Sequence, residues 1–315
     1  MRQVQSREGV PEIVQPYAFG QTGSFGSWGD DVLVQPLQVA RPVLRPLNAT
    51  SEQVRAQAAR ALEADARRVQ RTVLQRLFDP TEGSNEWQHR VFGLYNGTDG
   101  IKPPSWLGRN FAADHNHYLV SGSATLDSED LELGMAHLTE HGFGVTSVVN
   151  GNPSSIYILV NPAEADVIST FRAGVENANG KKAKHDFIPS SAVPPCLTDK
   201  TLVGTPPPVE VAPGGLPILG QYGLGLVVQD YVVPQGYVVI VASGGPNSPA
   251  NAIGLRSHER PEYRGLRLIA GNYERFPIAE SFYQRSIGAG TRRRGAAVVI
   301  QCKATGSYEA PTIAL

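Results

Sequence analysis

The chain has almost no cysteine. Cys196 and Cys302 are its 2 cysteines in 315 residues, far apart and without partner spacing. That excludes a disulfide framework and a cysteine zinc knuckle, and it fits a reducing compartment. An excess of charge of one sign is also missing: 28 basic side chains stand against 29 acidic ones, a formal net charge of −1. A protein that grips nucleic acid by its phosphates would be basic, so any such contact is expected to be weak and non-specific. No apolar run reaches the ~18 residues of a membrane-spanning helix. The opening MRQVQSREGVPEIVQP lacks the apolar core of a signal peptide, and the protein is expected to stay in the cytoplasm where it is made.

Glycine and proline are plentiful instead, at 33 and 24, which predicts many turns and extended segments. The length suits one large domain or two intermeshed ones with a buried core. One stretch is far more regular than the rest: residues 50–78, TSEQVRAQAARALEADARRVQRTVLQRLF. Val54, Ala58, Leu62, Ala66, Val69, Val73 and Leu77 recur every three or four positions, one stripe of an α-helix with charged and amide residues elsewhere. Thr50 and Gln53 fit a capping box, and Asp79-Pro80 ends the rod, which at ~1.5 Å per residue is roughly 40 Å long. So narrow a stripe cannot make a bundle alone, and it calls for a sheet downstream.

Ahead of that helix, residues 1 to 20 show no period and have little to bury. Asp31–Gln35, Leu37–Val39 and Pro42–Arg45 read as a two-stranded ribbon, marginal in water unless it leans on another subunit. Behind it, residues 115–124 suggest a strand, and Asp127 caps a second helix through Leu131, Met135 and Leu138 that Gly142 stops. Ile156–Val160 is apolar on both faces, as in a strand at the middle of a sheet. Asn161-Pro162 opens a third helix running towards Gly174, and residues 174–221 look loop-like. Gly225–Val232 and Tyr237–Val241 flank Val233-Pro234-Gln235-Gly236, the pattern of a hairpin on a type I turn. Strand-like Gly265–Ile269, a short amphipathic piece near Glu280–Arg285 and the strand Ala296–Gln301 complete the chain. Helices and strands mix without a βαβ repeat, so the class is α+β.

Few residues suggest chemistry. His137-Leu138-Thr139-Glu140-His141 has the H-x-x-E-H form of inverted zinc proteases, with two histidines four apart on a helix and a glutamate as base. It falls at the end of its helix, where His141 is instead suited to the negative end of the dipole. A third acidic ligand would have to be Glu164 or Glu176, chosen only by default. His115 and His117 form a second pair that would share one face of a strand. The glycine-rich GQTGSFGSWG lacks the Lys-Ser/Thr of a phosphate loop, and Thr291-Arg292-Arg293-Arg294 reads as a structural or intersubunit turn. No catalytic, cofactor or metal residue is expected, and a zinc hydrolase using His137, Glu140 and His141 stays only a remote alternative.

The order of the segments is the stronger signal. YNGTDGIKPPSWLG, HNHYLVSGSATLDSEDLELGMAHLTEHGFG, SIYILVNPAEADVISTF, VVQDYVVPQGYVVIV and FPIAESFYQRSIGAGTRRRGAAVVIQCKATGSYEAPTIAL together resemble major capsid proteins of tailed bacteriophages, with the Hong Kong 97-type fold. The last stretch is similar to the ending of actinobacterial-phage shell proteins, an arginine-bearing turn before a Gly-Ala-Val-Val-Ile-Gln strand. The resemblance implies an N-arm at 1–20, an extended loop (E-loop) at 21–49, and a peripheral (P) domain at 50–125 with a spine helix at 50–78. An axial (A) domain at 126–285 and a return to the peripheral domain at 286–315 would follow. It implies a structural virion protein, not an enzyme, that self-assembles into hexamers and pentamers of an icosahedral shell around double-stranded DNA.

The implied partners are copies of the chain, a separate scaffolding protein, a portal, decoration proteins and non-specifically touched DNA, with no membrane, cofactor or small-molecule substrate. Assembly would take place in the cytoplasm of a bacterial host. Some members cross-link through an E-loop lysine. The first lysine here is Lys102, so that bond is not expected. Nor is a long charged N-terminal segment that is cut away, because residues 1–49 are neither helical in pattern nor strongly charged. An encapsulin-like bacterial compartment protein is the alternative within the same fold.

Overall fold

Ile156, Ile158 and Val160 alternate with Tyr157 and Leu159 along the strand β4 (Ser155–Val160), the middle of a seven-stranded sheet. The computed structural model describes residues 51–84, 90–98, 100–112, 114–144, 153–177, 180–190, 218–256, 261–270, 281–285 and 288–313. The expected N-arm, E-loop ribbon and Thr50 cap, together with Cys196, lie outside these residues.

In chain order the helix α1 (Ser51–Phe78) leads to the short strands β1 (Gly83–Ser84) and β2 (Arg90–Val91), then β3 (Tyr118–Val120). The helix α2 (Ser128–Glu140), β4 and the helix α3 (Pro162–Ser169) follow. Next come β5 (Phe187–Pro189), β6 (Ile218–Tyr222), β7 (Gly225–Gln229) and β8 (Tyr237–Ser243). The chain closes with β9 (Ile253–Arg256), β10 (Leu266–Ala270), β11 (Ser281–Arg285), β12 (Gly288–Thr291) and β13 (Ala297–Gln301). The main sheet runs β3-β13-β8-β4-β7-β6-β5, while β9 pairs with β12 and β10 with β11. Mixed helices and a mixed sheet make the α+β class expected from the sequence.

The expected hairpin between β7 and β8 does not form. Both strands flank β4, β7 parallel to it and β8 antiparallel. A strand buried on one face and half-buried on the other gains from pairing both edges, so β4 takes the place the turn sequence offered to β8. The linking segment steps over the end of β4, where Asp230 N donates to Val160 O at 2.9 Å and Asn161 Nδ2 to Val233 O at 2.9 Å. Other expectations change in extent, and the third helix, expected to run towards Gly174, ends at Ser169. The 115–124 strand shortens to β3, and the loop-like 174–221 region contains β5 and β6.

Helices cover both faces of the sheet. On one, Leu131, Met135 and Leu138 of α2 and Ala165 and Ile168 of α3 pack on Ile156, Ile158, Ile240, Val298 and Ile300. Each such side chain taken from water contributes ~1.5–3 kcal/mol. Asp127 caps α2 by accepting from Glu129 N, and Asp130 returns the favour to Asp127 N at 3.0 Å, as the sequence led one to expect of that position. Gly134 is where α2 touches the sheet. A Cβ there would stand 2.5 Å from Ile240 Cδ1 and 3.2 Å from Ile300 Cδ1.

On the other face, Leu74, Leu77 and Phe78 of α1 pack on Val239, Ala297 and Val299. The last carbonyls of the helix, which have no partner within it, are taken up from outside. Tyr308 Oη donates to Phe78 O at 2.8 Å, while Tyr118 Oη and Arg76 Nη2 donate to Asp79 O at 2.9 and 2.8 Å. Farther back the inward face differs from the expected stripe. Leu62 is 56 % exposed, whereas Ala61 and Asp65 are buried. Asp65 accepts a two-pronged contact from Arg285 of β11, with Nε–Oδ1 and Nη2–Oδ2 both 2.7 Å. Alanine-rich surface gives little apolar grip, so this charge-assisted fork sets the rotation of the helix. Among the described residues no helix is long and apolar enough to cross a membrane.

Seating α2 at Gly134 has a direct consequence. Gly134→Leu should lower the unfolding free energy of the unassembled subunit by about 1–3 kcal/mol through overpacking, read from the denaturant midpoint. An unchanged midpoint would mean that α2 does not rest on Ile240.

Candidate functional site

The two histidine pairs of the sequence meet in the fold. His117 is the residue before β3, and its backbone is held on both sides: its N–H donates to Tyr95 O at 2.8 Å and its carbonyl accepts from Val299 N at 2.9 Å. Its ring Nδ1 lies 2.7 Å from Ala297 O, so Nδ1 carries the proton and Nε2 presents a bare lone pair. His115 lies two residues earlier, with its Nε2 3.1 Å from His117 Nε2 and 3.1 Å from His141 Nε2. His141 comes from the end of α2, where its N–H still bonds Leu138 O. Gly142 then turns the chain away at φ 82°, with Trp106 packed where a side chain would be.

His137, one turn earlier on α2, stacks on His115 with ring centroids 4.5 Å apart. Phe111 closes the cluster by stacking on His141 at 3.4 Å. His117 and His141 are buried, and His115 and His137 are half-buried. Burial is the main cause that lowers the basicity of all four rings. His117 lies well below the ordinary histidine value and His141 at about 4, with His115 adding to the effect on each. At neutral pH the cluster is uncharged.

This is not the arrangement of a zinc protease. Glu140 is exposed, and the histidines are joined by other histidines from a strand edge instead of by an acidic ligand. Glu164 is engaged elsewhere, accepting from Gly236 N at 2.8 Å, and Glu176 lies in a separate turn where its backbone pairs with that of Lys182.

The arginine turn separates into different roles. Arg294 is 1 % exposed, its Nη1 donating to Ile101 O at 2.9 Å and its Nε to Gly93 O at 3.2 Å. Its guanidinium lies 4.9 Å above the Phe92 ring and 5.4 Å above that of Tyr95. It therefore anchors the Phe92–Ile101 segment to the start of β13 within one subunit, a structural use. Arg293 donates to Pro249 O at 3.2 Å. Nothing in the sequence distinguished Arg294 from its two neighbours except position, one residue before Gly295. There a Cβ would meet Phe111 at 2.5 Å. Arg294→Ala should cost about 3 kcal/mol of subunit stability, and Arg294→Lys should not restore it, because a point charge cannot reproduce the planar fork. Equal stability of the lysine variant and the unaltered chain in denaturant unfolding would contradict this assignment.

No protein-family model and no curated protein matches the chain. Solved structures do. A chain from Mycobacterium phage Patience is 40 % identical, with a TM-score of 0.66, over 84 % of this chain and 67 % of that one. More distant are the holo-SrpI encapsulin complex from Synechococcus elongatus PCC 7942 (12 % identity, TM-score 0.44, 86 % and 74 % covered) and the capsid of an empty GTA particle (13 %, 0.42, 86 % and 74 %). Those two carry no argument by themselves. An identity of 40 % across most of the chain does, and it falls on a sequence whose segments already run in the order of a phage shell protein. The chain thus belongs to the major capsid proteins of tailed bacteriophages with the Hong Kong 97-type fold, and it is a structural subunit of the virion shell.

Proposed function

We propose that the subunit divides its labour along the chain as other shell proteins of this fold do. Residues 1–20 serve as the N-arm and 21–49 as the E-loop, both reaching over neighbours. Residues 50–125 form the peripheral domain around the spine helix α1, residues 126–285 the axial domain at the centre of each hexamer or pentamer, and residues 286–315 return to the peripheral domain. Because β13 pairs with β8, the two domains would share one sheet and move as one body. The identity to the phage chain carries this reading. It also favours a phage shell over an encapsulin-like compartment.

The partners follow from the same reading. The near-neutral charge lets the inner surface lie against tightly packed DNA without the counterion-driven adhesion of a basic protein. A separate scaffolding protein, a portal and decoration proteins complete the particle, which assembles in the bacterial cytoplasm. In the isolated subunit Leu62 projects from the outward side of α1, beside Glu63, Ala66 and Arg67. A leucine on the spine of a shell subunit is suited to a neighbour's surface, where its burial adds to assembly.

Leu62→Asp should leave the subunit folded, with an unchanged circular dichroism spectrum, and abolish fast-sedimenting particles. Particles of normal yield and size from the folded variant would place the intersubunit contact elsewhere.

A further inference from the structure

Four histidines converge between α2 and the edge of β3, and the shell function proposed above assigns them no role. The Nε2 atoms of His115, His117 and His141 face one another, and all three ligand atoms lie within 4.8 Å. Two of the separations are 3.1 Å. Hydrogen bonding serves this geometry poorly. His117 has placed its proton on Nδ1, against Ala297 O, so its Nε2 can only accept. One proton on His115 Nε2 must then be shared between two lone pairs, and His141 keeps its own proton on an Nδ1 that is buried without a partner. Placing the proton on His141 Nε2 instead leaves His115 and His117 facing each other with lone pairs only. A cation among the three satisfies every lone pair at once.

We propose that His115, His117 and His141 form a site for a divalent transition metal of the zinc class. Three neutral imidazoles are the donor set such borderline-soft ions favour over magnesium or calcium. Around a tetrahedral ion with bonds of ~2.0–2.1 Å, nitrogens stand about 3.4 Å apart. The two 3.1 Å separations are near that value, and the third, no more than 4.8 Å, closes by a ring movement of about 1.4 Å at most. The Ala297 carbonyl that fixes the His117 tautomer is the kind of outer partner that orients metal-bound histidines. His115 is half-exposed, so the fourth position opens to solvent. His137 and Phe111 hold the ligand rings by stacking.

With Glu140 turned to solvent the site lacks a placed base, and its role is mechanical. The ion joins the entrance to β3 with the end of α2, 26 residues apart between His115 and His141, and through Ala297 with β13. It is a clamp on one subunit.

The test uses the untagged full chain, as subunits and as particles, stripped with chelator and dialysed against Zn²⁺. Mass spectrometric metal analysis should give one equivalent of zinc per subunit. Co²⁺ in its place should give the intense visible bands of a four-coordinate ion, a readout on the unaltered protein that needs no variant. His115→Gln and His141→Ala should each lose the stoichiometric zinc and the cobalt colour. His137→Ala should weaken binding by about tenfold, and the surface variant His185→Ala should change nothing. Saturating zinc should raise the melting temperature of the subunit by about 5 °C. Absence of stoichiometric zinc from the folded unaltered chain, uptake that survives His115→Gln and His141→Ala, or a colourless cobalt form would each overturn the site and leave a hydrogen-bonded histidine cluster.

Discussion

Strand β4 is paired on both edges, buried on one face and half-buried on the other, and the rest of the subunit takes its position from that placement. Ile156, Ile158 and Val160 enter one core with α2 and α3. Leu159 is on the opposite side, towards the cluster that receives the end of α1. With neither edge left to water, β7 and β8 must part to flank it, and β13 and β3 then extend the sheet beyond β8. Among the described residues α1 docks through its last turns, the Asp65–Arg285 fork and the buried Ala61, and Leu62, Glu63, Ala66 and Arg67 are left on the surface of the subunit. For a shell protein that division is useful. A firmly packed sheet keeps each copy alike, while the exposed length of the helix is available to neighbours in different symmetry environments.

Much of this was legible in the sequence, for identifiable reasons. The run Ile156–Val160 announced a central strand because both faces are apolar, and Asp127 and Gly142 bounded α2 by ordinary capping chemistry. The identity of the fold came from the order of such landmarks, which a chain of weak single motifs still preserves. The hairpin misreading has an equally physical cause. Val233-Pro234-Gln235-Gly236 is good turn chemistry, but a local turn cannot report that a strand 70 residues earlier needs its edge. The α1 stripe failed at Leu62 because alanine gives so shallow a periodicity that one ion pair, with only its Asp65 side buried, outweighs it.

The histidines show the same limit from the other side. Each pair alone was a poor metal site, His137 and His141 for want of a third ligand and His115 and His117 for want of anything beyond a shared strand face. Their convergence depends on α2 ending against the edge of β3, a tertiary fact with no local signature. Arg294 likewise could not be told from Arg292 and Arg293 until Gly93 O and Ile101 O were placed around it.

We propose that this chain tiles a closed icosahedral shell, with α1 as the spine that neighbours share. Cryo-electron microscopy of particles formed by the full chain tests it most directly. The expected result is a closed shell of hexamers and pentamers in which each copy keeps the β4-centred sheet and the Leu62 side of α1 is covered by an adjacent subunit. Discrete small oligomers, or a shell in which that side of α1 stays bare, would contradict it.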